Sequence, residues 1–108
     1  MTDQPIIAIA TITPLPEHRE AVRQALETAS VDGHAEEGCL LYALHETPDG
    51  FVMIEKWSSP DAAKAHGAGP VFAAVTGGAL RTLGVSRDMP VQVAQSADPK
   101  APVAKEKL

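Results

Sequence analysis

A single cysteine, Cys39, is the only thiol in this 108-residue chain. That scarcity excludes an intramolecular disulfide and a thiolate metal cluster, and the four histidines are too scattered for a compact tetrahedral set. No metal is expected. Basic residues are also few: nine Lys and Arg against fourteen Asp and Glu leave a formal charge of −5, with the cations dispersed rather than clustered. Binding to nucleic acid or to an anionic membrane has no electrostatic footprint here. No signal peptide or long apolar span opens the chain, so a cytoplasmic location is the expectation. Aromatic residues are rare as well, at one Trp, one Tyr and two Phe. At about one domain's length, 44% hydrophobic residues make a modest core for a monomer.

The only Trp and the only Tyr both fall within "GCLLYALHETPDGFVMIEKWSSPDAAKAH", from Gly38 to His66. Cys39 to Glu46 and Phe51 to Trp57 are mostly β-branched, aromatic or apolar, which suits strands. Between them, "TPDG" presets Pro48 for the second position of a type I turn, with Gly50 free to adopt positive φ. A β-hairpin is predicted. Pro5 to Thr13, "PIIAIATIT", reads as a strand covered on both faces. Val22, Ala25, Leu26 and Ala29 recur at helical spacing, and Gly33 or Gly38 can end that helix. Ser59, Pro60 and Asp61 form a helix start, as N-cap, first position and first-turn anion, for a short helix through His66. Pro70 begins another, in which Phe72, Val75, Ala79 and Leu83 share a face, and Met89 to Gln95 returns as a strand.

Strand, helix, strand, strand, helices, strand is the split βαβ order of a ferredoxin-like α+β sandwich with an antiparallel sheet. Residues 1–95 are expected to form this one domain. Residues 96–108, "SADPKAPVAKEKL", are too polar and proline-broken to pack alone, and are expected to be disordered or to lie as an arm on a partner subunit. Helices would cover one sheet face, yet apolar residues fall on both sides of the hairpin: Leu40, Tyr42, Leu44, Val52 and Ile54 on one, Leu41, Ala43, Phe51 and Met53 on the other. A second copy stacked sheet to sheet would cover the open face, so a homodimer, a dimeric α+β barrel, is expected.

"EEGCLLYALHE", "FVMIEKWSSPDAAKAH" and "GPVFAAV" resemble the antibiotic biosynthesis monooxygenase family over roughly Ile6 to Gln95. The most specific elements are the strand-end Trp57, the "SSPD" helix start and His66 nine residues after the tryptophan. The resemblance implies a small dimeric ferredoxin-like protein that oxidises a quinol, phenol or anthrone with O2, without metal or organic cofactor. Haem-degrading relatives share the tryptophan and the histidine, but place an asparagine where this chain has Ala10.

Pairing Thr47 with Phe51 sets His45 across from Met53, Ala43 from Glu55 and Leu41 from Trp57, on one face shared with Ala8 and Ala10. That arrangement predicts an apolar cavity beneath the helices, lined by Trp57, Phe51, Met53 and Phe72, with His45 and Glu55 as polar groups and His66 reaching in. His66 is the expected general base, because imidazole titrates near neutrality, and Trp57 is the stacking wall. Each has a simpler rival role: Trp57 as core filler, His66 as a cation near a helix C-terminus, His45 as a half-buried strand residue, and Glu55 as the counter-ion of a nearby cation. Cys39 and Tyr42 are expected to pack rather than react, and His18 and His34 to lie at the surface. The functional alternatives are a non-catalytic dimeric binder of a small hydrophobic metabolite, or a haem-degrading relative.

Overall fold

The computed structural model describes residues 4–76 and 91–95. Strand β1 (Ile6–Ile12) leads through a 3-10 turn (Pro16–His18) into helix α1 (Arg19–His34). Strands β2 (Cys39–Thr47) and β3 (Gly50–Trp57) form the hairpin, followed by α2 (Pro60–Gly67), α3 (Pro70–Ala74) and β4 (Val91–Gln95). The sheet order is β2-β3-β1-β4, antiparallel throughout. This is the ferredoxin-like α+β fold that the element order predicts. The expected helical positions Ala79 and Leu83, the first residues of the Met89–Gln95 strand and the 96–108 tail lie outside the described residues.

Helix α1 buries Val22, Leu26, Ala29 and Gly33, spaced four, three and four apart, so they form one stripe along the helix. With Ala10, Ile12, Tyr42, Phe51, Met53 and Trp57 from the sheet, Val22 and Leu26 make the hydrophobic core. Gly33 is required by packing: a β-carbon there would stand 2.9 Å from the Tyr42 ring. Helix α2 starts as its sequence dictates, with the Ser59 hydroxyl accepting from the Ala62 N–H at 3.1 Å and Pro60 in the first turn.

The hairpin register differs from the expected one by one residue, and that single step exchanges the faces of β2. Thr47 pairs with Gly50 rather than Phe51, which sets Glu46 opposite Phe51, Leu44 opposite Met53 and Tyr42 opposite Glu55. Gly50 joins the strand because it lacks a side chain: a β-carbon there would fall 2.2 Å from the Ile12 carbonyl oxygen. Its N–H donates to the Thr47 hydroxyl at 3.1 Å, and its φ is not positive, contrary to the sequence-based expectation. A bulge between Cys39 and Leu41 then brings Cys39 opposite Trp57. His45 and Ala43 consequently share a face with Val52 and Ile54, and Tyr42 and Leu44 share the helix-covered face. On the other face Ile7, Ile9, Ala43, His45, Val52 and Ile54 are half-buried.

Candidate functional site

The alternation of β1 and β3 puts small residues under the helix layer. Ala8 and Ala10 stand opposite Glu55 and Met53, and their short side chains leave a cavity of about 170 Å³ between sheet and helices. Tyr42, Met53, Trp57, Phe72 and Val75 give it an apolar wall, while Glu55 and His66 bring ionisable groups to it. Val91 and Val93 line the cavity yet are 47% and 63% exposed, so it reaches solvent along β4. A mostly apolar concavity with few convergent polar groups is what small-molecule sites commonly present.

His66 is held on all sides. Its ring stacks on Trp57 at 4.5 Å between centroids with 26° between planes, and meets the edges of Tyr42 and Phe72 at 5.3 and 5.8 Å. Nδ1 lies 2.6 Å from Glu36 Oε1. Nε2 lies 3.5 Å from Glu55 Oε1, too far for a good hydrogen bond, and is buried without another partner among the described residues. The Trp57 indole N–H donates to that same Glu55 oxygen at 3.1 Å. The buried Glu55 carboxyl therefore accepts from the indole and stands beside the imidazole. Burial pushes its pKa above the usual carboxylate range, against the opposing pull of Trp57 and His66.

Five residues expected at the site come together here: His66, Trp57, Met53, Phe72 and Glu55. Two do not. His45 lies on the opposite sheet face, across from Val52, because of the one-residue register step. Phe51 shares the cavity's face but sits at the hairpin end, beneath the start of α1, where the Arg19 and Arg23 guanidiniums stand 5.1 and 5.2 Å from its ring. Arg19 is fixed there by donating to the Thr47 carbonyl at 2.7 Å and the Pro48 carbonyl at 3.1 Å. Both arginines pair with Glu46, whose carboxyl they lower to about 2. Tyr42 takes the position expected for Ala43, and burial raises its phenol pKa. Burial likewise pushes the Cys39 thiol up to about 11, so its environment does not activate it.

Glu36 escaped the sequence reading. It lies in the turn after α1, thirty residues from the histidine it contacts, and an acidic pair in a loop carries no spacing signal. Among the described residues, no group of three His, Cys, Asp or Glu side chains is placed to hold a metal ion. No described helix is long and apolar enough to cross a membrane.

Residues 5–76 match the sequence pattern of the family described as antibiotic biosynthesis monooxygenase, spanning the sheet core, the hairpin and both site helices. The chain belongs to this family. It is 35% identical over 70 residues to the Mycobacterium tuberculosis protein Rv0793, covering 63% of this chain and 69% of that one. The solved structure of Rv0793 superposes with a TM-score of 0.78 at 29% identity, covering 90% of this chain and 99% of that one. A Deinococcus radiodurans protein named for the same family superposes at 0.77 with 27% identity, covering 92% and 99%. PA3566 of Pseudomonas aeruginosa does so at 0.69 with 32% identity, covering 86% and 92%.

Proposed function

We propose that this protein is a cofactor-independent monooxygenase that converts a small phenol or quinol into a quinone with O2. The observation that carries the reading is the buried imidazole stacked on Trp57 beside an apolar cavity, its Nε2 without a hydrogen-bond partner among the described residues. In the reaction, the substrate O–H bond breaks as its proton passes to His66 Nε2. The phenolate gives one electron to O2, and the phenoxyl radical and superoxide combine at a ring carbon. The resulting peroxide takes the proton back from His66. Loss of the hydrogen on that carbon with cleavage of the O–O bond then gives the quinone carbonyl and one water. The overall change is phenol plus O2 to quinone plus H2O, with one oxygen atom retained in the ring product. A base that titrates near neutrality and a dry pocket are what the protein must supply.

The cavity's volume supports a small substrate. A cavity of about 170 Å³ is close to the ~150 Å³ engineered cavity that binds benzene, which supports a one-ring phenol as the first substrate to test. Ala10 also offers no polar group toward a haem. The homodimer expected from the half-buried open sheet face belongs to the same reading. The test is ¹⁸O2 turnover of purified protein with one-, two- and three-ring phenols, with added flavin and metal as controls. One ¹⁸O atom in the quinone and one in water, fastest for the smaller rings and indifferent to the additives, is expected. No label in any product would sink the reading and leave a non-catalytic binder.

A further inference from the structure

The two nitrogens of His66 lie in different surroundings. Nδ1 is 2.6 Å from Glu36 Oε1, and an ionised carboxylate only accepts, so this nitrogen carries its hydrogen and donates. Nε2 faces the cavity-lining Glu55 at 3.5 Å. In the neutral ring the lone pair then sits on Nε2, the atom that can take a proton.

Glu36 itself is held from both sides. Its N–H donates to the Gly33 carbonyl at 3.1 Å, and its carbonyl accepts from the Cys39 N–H at 3.1 Å. Its second carboxylate oxygen lies over Gly69, where a β-carbon would come within 3.3 Å. The side chain is 20% exposed, against 6% for His66 and 9% for Glu55, so the three groups run from a buried carboxyl through the imidazole to a carboxylate that water reaches. Among the described residues, the titratable groups facing His66 are Glu36 from the turn after α1, Glu55 from β3 and Tyr42 from β2, while Trp57 and Phe72 pack against the ring.

We propose that Glu36 is the positioning residue of this site: it fixes the Nδ1–H tautomer of His66, so that Nε2 is the base, and it links the buried ring to solvent. When a substrate proton reaches Nε2, one O–H bond breaks and one N–H bond forms. The imidazolium so made is then held by the charge-assisted bond to Glu36. The catalytic part of this assignment rests on His66 as the base; the tautomer does not.

The experiment is two-bond ¹H–¹⁵N correlation of the histidine rings, recorded without substrate at a pH where His66 is neutral. In the wild type His66 should have a protonated Nδ1 and a bare Nε2. Glu36→Ala should move it toward the Nε2–H form, now able to donate to Glu55. Glu37→Ala removes the same charge from an exposed neighbouring residue and should keep the wild-type pattern. With a turned-over phenol, Glu36→Ala should lower kcat on the order of 10-fold or more with little change in KM, and Glu37→Ala should leave both unchanged. An Nε2–H tautomer in the wild type overturns the assignment, and so does an unaltered tautomer in Glu36→Ala. The wild-type spectrum decides even if that variant does not fold. If the tautomer pattern holds but no phenol is oxidised, the positioning role stands and the oxygenase reading falls.

Discussion

Glu55 is where charge and burial conflict most sharply. Its folded-state pKa is raised above 4.5, first by desolvation, so just above the usual carboxyl range the folded chain binds more protons than the unfolded one. Stability should therefore fall as pH rises from about 4.5 through the raised folded value, and the full penalty should persist above it. Glu55→Gln keeps an oxygen that can accept from the Trp57 indole and removes the charge. Its Tm should exceed that of the wild type by roughly 2–6 °C at pH 7, and the difference should shrink toward pH 4 in a thermal melt. A lower Tm for the glutamine variant at pH 7 would show that the ionised carboxylate is stabilising. His66, Trp57 and Glu55 were legible in the sequence because each follows from local pattern: a strand end, a capped short helix, an alternating strand. Glu36 was not, because its contact with His66 depends on where a loop thirty residues away is folded back.

At the scale of elements, the turn before β2 decides where α2 lies. Gly38 has φ of 80°, its carbonyl accepts from the Ser58 N–H at 2.8 Å, and a β-carbon there would fall 2.5 Å from the Ala62 β-carbon. Gly38→Ala should cost about 1–3 kcal/mol by chemical denaturation, from backbone strain and the displaced helix together. Gly67→Ala, with nothing within 4 Å and no positive φ, should be neutral or stabilising by up to about 1 kcal/mol. Equal effects of the two substitutions would remove Gly38 from its role. The hairpin also marks the limit of pattern reading. Both strands, the turn and the capped α2 could be read from residue types, but the register turned on whether Gly50 belongs to the turn or to the strand. Its close approach to the Ile12 carbonyl settles that, and it is a tertiary contact with no local signature. The step moved His45 out of the site and Tyr42 into it.

Considered whole, the molecule buries one sheet face beneath helices and leaves Ile9 and Ile54 paired and half-buried on the other. Sedimentation at micromolar concentration should give twice the 11.3 kDa chain mass, and Ile54→Lys should give the monomer. A wild-type monomer would contradict the dimer. Fold class was legible because element order and composition constrain it, and so were the small residues Ala8 and Ala10 on the cavity face; the cavity's size was not, since it depends on how the helices carrying His66 and Phe72 settle over the sheet. The role of His66 Nε2 as acceptor of the substrate proton is tested by the ¹⁸O2 assay repeated across pH on wild type and His66→Ala. Wild-type kcat/KM should rise with pH as the imidazole becomes neutral. His66→Ala should lose that limb and fall on the order of 10²–10⁴-fold while the fold persists. Wild-type turnover by His66→Ala, with the same pH profile, would show that His66 is not the base.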